Sequence, residues 1–277
     1  MFIKKDKYGV GTGRLRKLRV LSAIIVGCCV LFINTAGVAA NGSVHTESEK
    51  KPEPIAEGEV SAALLAEVGT GRVVYEYNSE EKLPAAGLTR LAALVSVCKG
   101  FDEGRLKPGD AVSVSEKAAG IGGTTAFLKA GEQMDAETML LAAVMINAGD
   151  ATHSLALAAA GSESAAVQEI NACMAGIGVE TNFSEICGAG EKLSASELAK
   201  IGAALTASES YRKFGTKFYE KIEHNTGAGA TELANPNKLV KQYSGCIGVG
   251  TGSSTEAGYC GVFAAKRGNT AFIAVVL

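Results

Sequence analysis

Leu83 to Val97 reads LPAAGLTRLAALVSV, and the rest of the chain is organised about it. Leu83-Pro84 closes an extended segment, and Gly87-Leu88-Thr89-Arg90 then opens a helix. Leu88, Leu91, Leu94 and Val95 recur at helical spacing and form one apolar stripe. A helix N-terminus carries unpaired N–H groups and a partial positive charge, so it suits a reacting carbonyl or an anion. Serine at position 87 and lysine at position 90 would set a nucleophile one helical turn from its base. This chain has Gly87 and Arg90 there instead.

The surroundings give those two positions a context. TGRVVYEYNSEEKLPAA precedes the helix and VSEKAAGIGGTTAFLKAGEQM follows it. AGDATHSLALAAAGSESAAVQEIN lies in the middle, and the chain ends in NKLVKQYSGCIGVGTGSSTEAGYCGVFAAKRGNTAFIAVVL. In content, spacing and order these stretches, from Ala62 to Leu277, resemble the D-alanyl-D-alanine carboxypeptidases. That family comprises low-molecular-weight penicillin-binding proteins, serine peptidases of the S11 type that trim peptidoglycan stem peptides. The resemblance implies an α+β fold, with an antiparallel sheet flanked by helices and a mostly helical subdomain. The family usually continues into a closing helix on the sheet, whereas this sequence stops at Val275-Val276-Leu277. One sheet face is therefore expected to be partly uncovered.

The family's chemistry rests on three motifs, and the sequence departs from each. At the S-x-x-K position stand Gly87, Leu88, Thr89 and Arg90; at the S-x-N position stand Asn147, Ala148 and Gly149; at the K-T-G position stand Gly250, Thr251 and Gly252. Gly87 has no side chain to acylate. Thr89 sits about 200° round the helix from it and cannot stand in. Arg90 keeps a charge, but arginine stays protonated where a buried lysine can act as a base. Asn147 offers hydrogen bonds without a hydroxyl proton relay. Gly250 removes the cation that would hold a terminal carboxylate. No intact catalytic residue is therefore expected among Gly87, Arg90, Asn147, Gly149 and Gly250. What the resemblance leaves is a binding set: Gly87, Asn147, Thr251, Gly252 and Ser253. The backbone N–H groups of Gly87 and Ser253 would form an oxyanion hole, and Thr251-Gly252 a strand edge along which a peptide could lie.

A relocated nucleophile is the alternative. S-x-x-K recurs at Ser48/Lys51, Ser96/Lys99 and Ser210/Lys213. Ser48 falls in a polar linker and Ser210 among charged residues. Ser96 lies on the same helix as Gly87, about 13 Å further along and half a turn round. A pattern with two fixed residues is cheap, and all three read as chance.

Residues 1–40 carry +6, leaving −8 for the remainder of a chain whose net charge is −2. No basic face is left for nucleic acid. The basic start, the apolar run Val20 to Phe32 and Val38-Ala39-Ala40 form a signal peptide. Residues 20–32 would otherwise serve as an N-terminal membrane anchor. Ile25-Val26-Gly27-Cys28 also resembles a lipoprotein processing box. In every version the remainder is exported. Residues 41–57 read as a linker and residues 58–277 as the carboxypeptidase-like domain, with a helical part over about 88–225 inserted between N- and C-terminal strands.

Within the domain, SAALLAEV and RVVYEY read as two strands around Gly69-Thr70-Gly71. Ala136 to Ile146 and Asp150 to Ala160 read as helices. Ser162 is expected to cap the next, with Ala165, Ile170 and Met174 inward. Ser194 to Glu197 resembles a capping box. Tyr211 to Glu223 reads as a surface connection, and Gly258 to Lys266 and Thr270 to Leu277 as returning strands. His153 reads as a packed or solvated residue. Beyond Cys28 and Cys29, the cysteines Cys98, Cys173, Cys187, Cys246 and Cys260 form no zinc pattern, and one bridge, Cys246 with Cys260, is open. No cofactor is implied. Three functions remain in view: a non-catalytic homologue binding stem peptide or an envelope protein, an active carboxypeptidase using relocated residues, and a decayed gene product.

Overall fold

Apolar residues on either side of Gly69-Thr70-Gly71 form an antiparallel hairpin, β1 (Ala63–Glu67) and β2 (Val73–Tyr77). Gly71 closes its turn with φ of 70°, a left-handed conformation that costs glycine nothing. The computed structural model describes residues 60–188, 190–227 and 229–277. The signal segment, the attachment through residues 20–32, the linker over 41–57 and Ser48 all lie outside them. Residues 62–277 form one compact unit.

After β3 (Leu83–Pro84) a 3-10 turn (Ala86–Thr89) leads into α1 (Arg90–Asp102). The helix expected from Gly87 thus becomes regular only at Arg90. Leu88, Leu91 and Leu94 are fully buried as the stripe requires, while Val95 is half-buried. Next come β4 (Ala111–Ser113), α2 (Glu116–Ala119), β5 (Gln133–Asp135), α3 (Ala136–Ile146), α4 (Gly149–Ala160) and α5 (Glu163–Gly176). Ser162 caps α5 by accepting from the Ala165 amide. Its buried face is Ala166, Ile170 and Met174, so the inward residue is Ala166 rather than Ala165. After β6 (Lys192–Leu193), Ser194 and Glu197 close a reciprocal capping box on α6 (Ala195–Ala207). Lys82 and Thr181 also bond the Glu197 carboxylate. Burial pushes that carboxyl up, but the Lys82, Ser194 and Thr181 hydrogen bonds outweigh it and hold it below the ordinary carboxylate value.

The stretch from Tyr211 is not a surface connection. α7 (Glu209–Arg212) carries Tyr211 into the core, where its hydroxyl donates to the Val249 carbonyl at 3.2 Å. Phe214 is buried beside it, and β7 (Tyr219–Glu223) pairs with β8 (Ala230–Ala234). Aromatic residues among charges read as exposed, but the rings of Tyr211 and Phe214 point in, while Tyr219 stays exposed. The β7–β8 hairpin is fixed by a buried pair, His224 Nδ1 at 2.8 Å from Glu132 Oε1.

α8 (Leu239–Gln242) precedes the three long strands β9 (Cys246–Ser254), β10 (Gly258–Arg267) and β11 (Thr270–Val276). The main sheet runs β2-β1-β11-β10-β9, all antiparallel, so the first and last strands of the described residues lie side by side. β9 is an edge. α6 packs across the inner face of the sheet. It comes so close at Gly202 that an added Cβ would lie 2.4 Å from Ile273 Cδ1 and 2.8 Å from Val262 Cγ1. On the opposite face Ala63, Leu65, Phe263, Ala274 and Val276 are also buried, so the sheet does not stand open at these positions. Cys246 pairs with Ala265 and Cys260 with Gly252, at opposite ends of the β9–β10 ladder. The bridge left open by the sequence is therefore not formed, and all five described cysteines are free thiols.

Candidate functional site

The 3-10 turn, the α3–α4 junction and β9 converge on Gly87. α3 ends because Asn147 adopts φ of 57° and ψ of 44°, a left-handed cap that asparagine tolerates well. From there its side-chain Nδ2 donates to the Gly87 carbonyl at 2.6 Å. Its Oδ1 is buried and has no partner. An added Cβ at Gly87 would meet that same Nδ2 at 3.6 Å, an ordinary contact. The amide of Asn147 thus lies against the place where a side chain at 87 would begin.

Gly149 and Arg90 form one packing unit. A Cβ on Gly149 would lie 2.9 Å from Arg90 Cζ, 3.2 Å from Arg90 Nε and 2.7 Å from Ile121 Cγ2. The guanidinium therefore fills the volume that a side chain at 149 would need. It is held there by backbone carbonyls: Nη1 donates to Thr124 O at 2.9 Å and to Asn147 O at 3.3 Å, and Nη2 donates to Gly122 O. A planar fork with five donors suits such a ring of acceptors, whereas a lysine would reach one or two. Gly122, in the loop of Gly120 to Gly123, is thus one of the acceptors that hold this cation.

On the strand side the fit is by backbone. An added Cβ at Gly252 would lie 3.1 Å from Gly87 N and 3.3 Å from Ala86 Cβ, so β9 and the turn approach closely there. A Cβ at Gly250 would meet Leu91 Cδ2 at 3.5 Å and Leu88 Cδ2 at 3.9 Å, both ordinary contacts. Thr251 is half-buried and Ser253 is exposed next to it. Thus Gly87, Arg90, Asn147 and Gly149 share direct contacts. Gly252 joins them through Gly87, Gly250 packs against Leu88 and Leu91, and Thr251 and Ser253 follow on the same strand.

Asp150 is the residue whose part the sequence reading missed. Its buried carboxylate accepts from the amides of Ala126 (2.9 Å), Leu128 (3.0 Å) and Ala151 (2.8 Å). This clamps the loop that supplies Thr124 to Arg90. It also turns Phe127 outward at φ of 60°, with 72% of its surface exposed. An acidic residue in the first turn of a helix signals a favourable dipole, but the loop it reaches is more than 20 residues back and leaves no local trace.

Other candidate nucleophiles are committed elsewhere. Ser96 is buried in α1, and its near neighbour is Cys173. Lys99 pairs with Glu103 at 3.8 Å. Ser210 donates its hydroxyl to Asp102 Oδ1 at 2.6 Å, and Lys213 pairs with Glu137. Cys187 does touch the site, its thiol donating to the Gly149 carbonyl at 3.7 Å. Burial pushes that thiol up to about 11 despite the opposing pull of Arg90, so little thiolate exists at neutral pH. His153 is buried with Nε2 2.9 Å from Glu163 Oε1, and burial holds its pKa below the usual histidine value. Among the described residues no cluster of histidine, cysteine and acidic side chains could hold a metal ion, and no helix is long and apolar enough to cross a membrane.

Comparison with known proteins identifies the family and the fold. Residues 46–277 match the family model described as D-alanyl-D-alanine carboxypeptidase. The chain is 33% identical over 262 residues to the D-alanyl-D-alanine carboxypeptidase DacF of Bacillus subtilis, an alignment covering 93% of this chain and 65% of the relative. The chain thus spans slightly less than two thirds of that protein's length. A point mutant of a Streptomyces DD-transpeptidase superposes with a TM-score of 0.69 at 24% identity, covering 79% of this chain and 90% of the other. The carboxypeptidase DacD of Francisella tularensis superposes with a TM-score of 0.71 at 19% identity, covering 98% of this chain and 71% of the other. Both establish a shared fold.

Proposed function

The chain belongs to the D-alanyl-D-alanine carboxypeptidase family, and from that premise we propose that it is an exported, non-catalytic member which binds rather than cuts. Its ligand is a peptidoglycan stem peptide or an envelope partner, laid along β9 beside the turn at Gly87. One observation carries the reading. The position of the nucleophile has no side chain, and the position of its base holds a guanidinium bonded to three backbone carbonyls. Loss of nucleophile and base together costs on the order of 10⁶-fold in a comparable serine peptidase, and the remaining oxyanion and binding contributions are far weaker.

Export follows from the basic, then apolar, N-terminal sequence. Peptide binding follows from what the substitutions spare. The backbone amides of Gly87 and Ser253 need no side chain, and β9 is a sheet edge whose groups can pair with an extended ligand. Relocated catalysis is disfavoured by the engaged states of Ser96, Ser210 and Cys187 described above.

The test is calorimetric titration of the full chain with an N-acylated peptide ending in D-Ala-D-Ala, alongside an assay for released D-alanine. Saturable binding with no D-alanine released is the expected result. Release of D-alanine at an enzymatic rate would refute the proposal.

A further inference from the structure

We infer that the helical side of the groove reads its ligand through Asn147, whose side-chain Oδ1 accepts a peptide N–H that faces away from β9. The inference rests on the binding function proposed above and names the ligand feature that this wall recognises: a hydrogen-bond donor carried by a backbone amide.

Asn147 carries an unspent polar atom at the centre of the site. The residue is 6% exposed, and its backbone forms the left-handed cap of α3. Its Nδ2 donates to the Gly87 carbonyl at 2.6 Å. That bond fixes which end of the amide meets the turn, since the reverse orientation would set two oxygens against each other. Oδ1 is then a buried acceptor with no hydrogen-bond partner among the described residues. A buried acceptor left unpaired is costly, so a donor from outside the chain is called for. The space for one lies beside Gly87. Flanking residues apart, Asn147 Nδ2 at 3.6 Å is the one described atom within 4 Å of where a side chain at 87 would begin. Oδ1 belongs to the same small planar group, so a donor entering that space comes within its reach.

Strand pairing indicates that this donor is a peptide N–H. In an extended chain successive backbone N–H groups point to opposite sides. Along β9, Cys246–Ser254, one set meets the strand edge. The other set faces the helical wall and needs an acceptor there. Arg90 has only donors. The Thr89 hydroxyl is directed at the carbonyls of Ala86 and Cys187. Asn147 Oδ1 is the side-chain acceptor that stays unspent.

The experiment titrates the full chain with an N-acylated D-Ala-D-Ala peptide and with two analogues, each replacing one of its two backbone N–H groups by an ester oxygen. At least one analogue is expected to bind about tenfold or more weakly, because the ester removes the donor and sets an oxygen against Oδ1. Asn147→Gly removes Oδ1 and keeps the left-handed cap. In that variant the penalty should fall below about threefold for the analogue whose N–H faced Asn147 and persist for the other. Equal affinities of all three ligands for the wild type would mean that water satisfies Oδ1, and would overturn the inference while leaving the binding function intact. Penalties unchanged in Asn147→Gly would overturn it in the same way. Absence of binding by the parent peptide would overturn the binding function and this inference with it. Should the variant not fold, hydrogen exchange of the isotope-labelled peptide bound to the wild type decides. Protection of both N–H groups is expected, and protection of one alone would overturn the inference.

Discussion

The two walls of the candidate site accommodate their glycines in opposite ways. On the helical wall the space beside Gly149 is filled by Arg90, whose donors are taken up by the carbonyls of Gly122, Thr124 and Asn147. On the strand wall nothing takes the place of the missing side chain, and Gly250 has only ordinary neighbours at 3.5 Å and beyond. The helical wall is thus closed by a hydrogen-bonded side chain, and the strand wall by backbone packed on the buried Leu88 and Leu91. Interior must be packed and hydrogen-bonded whatever its function, because voids and orphaned donors are costly. A strand edge can lose a side chain and still keep its backbone pattern. The difference shows how glycines at 149 and 250 are accommodated in two ways, one by a neighbouring side chain and one by backbone.

That contrast can be broken most forcefully at Asp150. Asp150→Ala strips the buried acceptor from the Ala126, Leu128 and Ala151 amides and is expected to cost about 3 kcal/mol or more in urea denaturation. A loss below about 1 kcal/mol would mean the helical wall is not built as described. Gly149→Asn comes next. Its Cβ meets Arg90 and Ile121 inside van der Waals distance, for an overpacking cost of about 1–3 kcal/mol. Arg90→Lys in the same chain should recover part of that cost, and a double-mutant cycle reads the coupling directly. Additive costs would separate the two positions.

Glu197→Gln tests the outer support of the same helical region, at about 1 kcal/mol. Because hydrogen bonds hold the folded Glu197 carboxyl below its ordinary value of 4.5, the stability it confers is present above that value. It is lost as pH falls through the lower folded value. The wild-type advantage over Glu197→Gln should therefore shrink below about pH 4.5 in acid denaturation. An advantage that grew on acidification would reverse the assignment. The smallest effect is expected on the strand wall: Gly250→Ala should change stability by no more than about 0.5 kcal/mol, since its Cβ finds ordinary contacts.

Much of this was legible in the sequence, and what was not follows a pattern. The β1–β2 hairpin, the bounds of α3 and the capping box at Ser194 and Glu197 are encoded in neighbouring residues and were read from them. The coupling of Arg90 to Gly149 was not, since it joins residues far apart and shows only as a volume shared in space. Asp150 reaching Ala126 and Leu128 was hidden for the same reason. Tyr211 misled because a ring among charged neighbours reads as surface, while its partner, the Val249 carbonyl, lies 38 residues on. Ala166 rather than Ala165 faces inward, since one residue turns a helix by about 100° and the sequence pattern does not fix the phase that closely.

The claim on which the rest depends is that no acylable nucleophile stands in the groove. Intact-protein mass spectrometry of the full chain after incubation with a penicillin tests it most directly. An unchanged mass is the predicted result. A mass increased by one penicillin would contradict it, and mapping the adduct would identify the residue that took the serine's place.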